Sequence, residues 1–322
     1  MTATSVGPAS PGSGPEGQVR GALARSSPRV GERIIEAVMA GAAGLSVLVT
    51  AGIVAALVVP LFTFFANVSP IEFLTGTSWT ASFGDKYSWN KDWGVLPLVS
   101  ATFMATGIAL LVAIPLGLGI AMFLSEYAGG RLRRIVKPVL ELLAGIPTVV
   151  YGFLALTAIT PLLQPLLGIP NIYNLLVAGI VMGFMIIPTI ASLSEDAMSA
   201  VPQVLRQGSF AVGANRRVTT VRVVFPAALS GIIAAIVLGL SRAVGETMIL
   251  AVAGGNLARL TGDPRDEAQT MTAFIAQIAS GDAPQGSPVY YSLFAVGALL
   301  FVITMIINVI SIRLVRRYRQ AY

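Results

Sequence analysis

Six stretches of this chain are long and apolar enough to cross a lipid bilayer, and nothing else constrains the fold as much. They cover residues 37–65, 96–124, 139–160, 175–193, 227–253 and 289–312. Each is near or above the roughly 20 residues that a spanning helix needs. In hydrocarbon the backbone has no water to bond, so each run must satisfy its own N–H and C=O groups as a helix. Only 11% of the residues are charged, against about 25% in soluble domains. The expected fold is an all-α integral membrane protein with six transmembrane helices.

The basic residues orient that bundle. Arg20, Arg25, Arg29 and Arg33 precede the first run, and Arg131, Arg133, Arg134 and Lys137 follow the second. Arg206, Arg216, Arg217 and Arg222 follow the fourth, and Arg313, Arg316, Arg317 and Arg319 end the chain. The alternate connections hold only Lys86, Lys91, Arg259 and Arg265. Excess Lys and Arg mark cytoplasmic segments, so both termini are expected in the cytoplasm. The clustering between apolar runs makes the basic pI a topology signal, with no nucleic-acid partner expected.

The organisation then reads as four parts. Residues 1–33 are a Ser-, Pro- and Gly-rich tail, expected to be disordered and lacking the apolar core of a signal peptide. Residues 34–95 hold the first span and a long outer loop. Residues 96–313 hold the other five spans, and 314–322 form a basic cytoplasmic tail. Trp79, Trp89 and Trp93 all lie in the first outer loop, where they can form an interfacial belt or a docking surface.

The chain contains no His and no Cys. Thiolate chemistry, disulfides and His-based catalysis are therefore excluded, and no metal site is expected. Glu141, Arg242 and Glu246 are the only ionisable acids or bases in the third to fifth runs, which leaves nothing for an intramembrane enzyme to use. There is no G-x-x-x-x-G-K-[ST] loop for ATP.

Arg242 and Glu246 are the only charges in residues 227–253. A charge at mid-membrane costs roughly 3 kcal/mol on insertion scales. Four residues apart on a helix, the two would share a face and pair. One reading is a structural ion pair that fixes helix packing. The other is a pathway site, with Arg242 as a transient anion ligand and Glu246 as its resting counter-ion. Ser241, Thr247 and Thr148 can add neutral donors, or simply make helix contacts. Gly145 and Pro147 break regular helix early in the third run, and Pro115, Gly117 and Gly119 invite a break or close packing in the second. Glu141 is expected to pair with a base in Arg131–Lys137.

The connection after the fourth run, about residues 195–226, predicts helix, tight turn and short helix. Gly213 is the stop and Asn215 the following cap. Its spacing resembles the coupling loop of bacterial binding-protein-dependent ABC importers. That loop has a Glu-Ala-Ala element, a Gly four residues on, nine residues, then an aliphatic, any residue, an apolar residue and Pro. Here nine residues separate Gly213 from Val223, Val224, Phe225 and Pro226, while Gln207, Gly208 and Ser209 stand where Glu-Ala-Ala would be. The resemblance implies that Gln207, Gly208, Ser209, Ala211, Gly213, Ala214, Val223, Phe225 and Pro226 seat the loop on an ATPase.

ELLAGIPTVVYGF at 141–153, SRAVGETMILAVAGGN at 241–256, the second span and TMTAFIAQIA at 270–279 are similar to the PstC-type phosphate permease family. The long Trp-rich outer loop favours that type over the homologous PstA type. The resemblance implies a type I ABC importer permease fold and a bacterial plasma-membrane location. It implies as partners a PstA-like permease, two ATPase subunits, a periplasmic-type phosphate-binding protein, inorganic phosphate and membrane lipid. ATP and Mg would be bound by the ATPase, with no cofactor in this chain. Another oxyanion such as sulfate or molybdate, or a passive anion channel, are the alternatives.

Overall fold

A computed structural model describes residues 30–81 and 84–318. The chain forms two compact units, Met1–Ala56 and Leu57–Tyr322. The described part of the first unit belongs to the helix Val30–Phe65, and side chains 31–56 of it are exposed. That helix starts inside the 1–33 segment expected as a tail. The rest of that tail, and residues 319–322, lie outside the described residues.

Five helices are long and apolar enough to span: Gly31–Phe65, Leu96–Tyr127, Thr148–Leu167, Leu175–Ser199 and Pro288–Val315. A bent pair, Arg216–Ala227 and Leu229–Val244, supplies the sixth with a 72° angle between its halves. No strand forms among the described residues; a lone bridge joins Trp79 and Trp93.

Two of the apolar runs are broken, the third where Gly145 and Pro147 predict it and the fifth against expectation. The third divides at Gly145–Pro147, so residues up to Ala144 belong to a separate amphipathic helix, Gly130–Ala144. Pro147 disfavours helical backbone at Ile146 and has no N–H to continue the ladder. The fifth run bends at Ala228, ends at Val244 and resumes only at Met248–Ala253. By contrast, the second run stays helical through Pro115, Gly117 and Gly119. There Gly117 serves packing: a Cβ on it would lie 2.9 Å from Ile190 Cγ2, whereas one on Gly119 would meet nothing within 4 Å.

The fourth span is the centre of the larger unit, with 72% of its most apolar window buried. Ala101, Ala105, Ala109 and Ala113 form a buried ridge along span two, one every fourth residue. The ridge meets glycines of span four, and a Cβ on Gly183 would fall 2.8 Å from the Ala109 carbonyl oxygen. Lipid supplies no hydrophobic drive between helices, so close packing of small residues must hold them together.

Two of the three tryptophans turn inward rather than toward an interface. Trp79 and Trp93 are each 2% exposed, inside an aromatic core with Phe64, Phe73 and Phe274. Trp79 meets Phe274 edge-on at 5.1 Å, and Trp89 stacks on Tyr291 at 6.2 Å. The outer loop folds into a small core of its own, because its aromatics find one another and the loop 254–287 before they find an interface.

Candidate functional site

The break in span five assembles the first candidate site. Leu229–Val244 closes at Gly245, whose N–H bonds Ser241 O at 3.3 Å. Residues 245–247 leave the helix, so the four-residue spacing of Arg242 and Glu246 no longer places them side by side. The expected pair is not made. Glu246 is buried, and its Oε1 accepts from the backbone N–H groups of Met248 and Ile249 at 3.0 and 3.3 Å. Its carboxylate thus caps the resumed helix. Arg242, half-buried, donates through Nη1 to Thr189 Oγ1 of span four at 3.2 Å and has no carboxylate partner among the described residues.

Span three brings its own break to the same place. Gly152 packs so closely that a Cβ there would lie 3.1 Å from Ile249 Cα and 3.2 Å from Met248 O. Tyr151 donates its hydroxyl to Leu143 O across the Gly145–Pro147 break at 3.0 Å and packs against the core cluster that holds Ala243 and Ile249. The structure therefore gathers Arg242, Thr189 and Tyr151 where two broken spans meet. From the outer loop, Thr272 donates to Glu246 O at 2.7 Å and Met271 N–H bonds Thr102 Oγ1 at 3.0 Å, fixing the segment Met271–Gln277 against the break.

The neutral donors expected beside Arg242 are differently placed. Ser241 donates to Asn308 Oδ1 of the last span at 3.2 Å, and Thr247 donates to Gly245 O at 3.3 Å. Thr148 opens the span-three helix after Pro147. Thr189 and Tyr151 were missed by sequence reading; only the pairing of spans reveals them.

The loop after span four is the second candidate site. Span four stays helical to Ser199, so the loop starts later than residue 195. Gln203–Ala211 follows, uninterrupted by Gly208. Gly213 turns with φ +84°, a conformation L side chains rarely adopt. Asn215 caps the next helix by accepting Val218 N–H at 2.9 Å. Ser209 and Thr219 hydroxyls meet at 2.9 Å across the turn. Val212, at the turn, is 85% exposed, and Gln207, Gly208, Ala211 and Gly213 are also exposed. Ala214 and Val223 are half-buried, and Phe225 and Pro226 enter the 72° bend toward span five.

Ion pairs tie this end of the bundle together. Arg133 and Lys137 both pair with Glu195, whose side chain is 1% exposed, and Lys137 also reaches Asp196 Oδ1 at 2.5 Å. The hydrogen bond that Lys137 donates to Asp196 leads the effects that raise the Lys137 pKa. Glu141 is exposed and makes no ion pair among the described residues, because span four offers those bases closer carboxylates. Arg206, on the loop helix, reaches Glu126 at the end of span two; both side chains are under 10% exposed. Sequence alone shows two charges at the margins of apolar runs, with nothing to pair residues 80 positions apart.

The chain is similar to known proteins in sequence and fold. Residues 113–320 match the family described as binding-protein-dependent transport system inner membrane component. The chain is 39% identical over 247 residues to the probable ABC transporter permease protein YqgH of Bacillus subtilis, covering 76% of this chain and 78% of that one. It is 36% identical over 255 residues to the phosphate transport system permease protein PstC of Mesorhizobium japonicum, covering 71% and 76%. With PstC 1 of Mycobacterium tuberculosis it shares 34% over 283 residues, covering 78% and 83%. Its fold is similar to that of the inward-facing MetNI methionine ABC transporter, with TM-score 0.53 and 20% identity over 70% of this chain and 95% of that one. It is also similar to a bacterial alginate importer, with TM-score 0.52 and 14% identity over 89% and 100%. These neighbours have the type I ABC importer architecture expected from the sequence. Members of this family are transport subunits, not enzymes, and work with a separate ATPase and a substrate-binding protein. The chain therefore belongs to the inner-membrane permease components of binding-protein-dependent ABC importers.

Proposed function

We propose that this chain is the phosphate-conducting permease subunit of an ATP-driven importer. It sits in a bacterial plasma membrane with both termini cytoplasmic. A homologous PstA-like permease forms the other half of the pathway, two ATPase subunits dock at the loop after span four, and a phosphate-binding protein delivers substrate from outside. The relatives named PstC support the choice of phosphate. One observation carries it: Arg242 is the only cation in residues 227–253, and it stands at a backbone break beside the Thr189 hydroxyl without a carboxylate partner among the described residues.

The chemistry follows from that arrangement. Phosphate entering a narrow path must exchange its hydration water for donors. A guanidinium offers a planar fork that matches two oxyanion oxygens, and Thr189 adds a neutral donor. Glu246, held by two backbone N–H groups, keeps the break in shape and adds a negative charge nearby that favours release. The site binds long enough to select and weakly enough to let go.

The test is uptake of labelled phosphate into vesicles holding the complete complex, with excess sulfate, molybdate or unlabelled phosphate as competitor. ATP-dependent uptake, suppressed by phosphate alone, is expected. Suppression by sulfate or molybdate at equal concentration would reassign the substrate, and uptake without ATP would make the chain part of a channel.

A further inference from the structure

The loop after span four is one mechanical body. Gln203–Ala211 and Arg216–Ala227 are joined by the Gly213 turn and by the Ser209–Thr219 contact. Span five leaves that body through a 72° bend, so the covalent connection is a poor lever toward Arg242. Two other ties lead elsewhere. Arg206 donates through Nε and Nη2 to Glu126 Oε1 at 3.2 and 2.9 Å, and its terminal nitrogens also donate to the carbonyls of Val201 and Met198. The Arg216 guanidinium lies over the Tyr127 ring at 5.9 Å. Glu126 and Tyr127 are the last two residues of span two. Both loop helices are therefore gripped by the same end of the same span.

We propose that Arg206 is the positioning residue that makes the loop move as one with spans two and four. Displacement of the loop by the ATPase then reaches span two through Glu126 and span four through the Met198 and Val201 carbonyls. Spans two and four travel together along their alanine–glycine seam, and span four carries Thr189 to or from Arg242. The route to the substrate site runs through two packed helices rather than along span five. A buried guanidinium with this many bonds suits such a joint: its planar fork fixes direction, which an ammonium does not. Removing one partner strands the other charge out of water.

The inference rests on the loop being the ATPase dock, as proposed above, and does not depend on phosphate. The chain has no native cysteine, so Val212→Cys and Phe123→Cys, both at exposed positions, accept spin labels cleanly. In the complex purified with its ATPase, the 212–123 distance is expected to be narrow and the same with and without ATP. Adding Arg206→Ala should broaden it and make it respond to nucleotide. ATP hydrolysed per phosphate imported should rise roughly fivefold or more, with Arg206→Lys restoring part of the loss. Where Arg206→Ala does not assemble, Glu126→Gln keeps the two carbonyl bonds and should show the same changes more weakly. A parental distance that shifts with ATP, or variants matching the parent in both distance and ATP per phosphate, would overturn the proposal. If the ATPase fails to co-purify with the parental chain, the docking reading falls and takes this inference with it. If only phosphate fails to stimulate the parent, the substrate reading alone falls and the distances still decide.

Discussion

Two of the arginine–glutamate couples in or beside the membrane spans of this permease are built in opposite ways. Arg206 and Glu126 are far apart in sequence yet joined, buried and surrounded by carbonyl acceptors. Arg242 and Glu246 are four residues apart yet separate, one held by a threonine and the other by backbone N–H groups. A closed couple whose guanidinium already donates four hydrogen bonds has little left for a ligand, which suits a joint. An open couple leaves a guanidinium available, which suits a site. The difference comes from backbone: the loop helix is intact around Arg206, whereas span five is interrupted just after Arg242.

The largest effect should come from reversing the open cation. Arg242→Glu sets a second carboxylate near Glu246 and repels an oxyanion, so uptake should be abolished while the complex still purifies with its ATPase. Normal uptake in that variant would erase the distinction between the couples.

Next comes Gly152→Leu, at the contact between the two broken spans. The Gly152 Cβ position already lies 3.1 Å from Ile249 Cα, and overpacking costs typically 1–3 kcal/mol. A lower melting temperature in detergent is expected, together with slower uptake. An unchanged melting curve would show that the two breaks are not braced against each other.

Glu246 then separates capping from counter-ion duty. Glu246→Gln retains an oxygen for the Met248 and Ile249 N–H groups and should cost less uptake than Glu246→Ala. A missing cap is worth about 1 kcal/mol, so the two variants should differ by several-fold. Equal loss in both would show that the charge, and not the cap, is what Glu246 contributes.

The smallest effect is expected at Asp263 in the outer loop. Hydrogen bonds from the Arg265 side chain and backbone hold its carboxyl down to about 2. Because the folded value lies below the ordinary 3.8 of an Asp carboxyl, any stabilisation is present above that pH and lost as pH falls toward about 2. The two side chains are 46% and 40% exposed, open enough to water to screen the pair, so Asp263→Asn should leave the melting temperature between pH 5 and 8 unchanged. A shift in that window would mean the outer loop depends on this ion pair.

Much of this was readable from residues. The apolar runs marked the spans, Gly213 and Asn215 marked the turn and cap, and Gly145 with Pro147 marked the break in span three. What failed was continuity and partnership. A Gly at 245 within an apolar run gives little warning that the helix stops, so the i,i+4 rule paired Arg242 with Glu246 wrongly. The tryptophans looked interfacial because Phe274 and Tyr291, which cover them, lie some 200 residues away in sequence. Glu141 lost its expected partners to Glu195 and Asp196 for the same reason: side-chain choice depends on which helices pack together.

The central claim is that Arg242 is held open for an oxyanion. The most direct measurement is the initial rate of ATP-dependent phosphate uptake by the Arg242→Gln complex, with subunit stoichiometry verified and ATP hydrolysis followed in the same vesicles. A charge-assisted hydrogen bond contributes about 1.5–3 kcal/mol, so uptake is expected to fall by roughly tenfold or more while loaded binding protein still stimulates hydrolysis. Wild-type uptake by a correctly assembled Arg242→Gln complex would contradict the account.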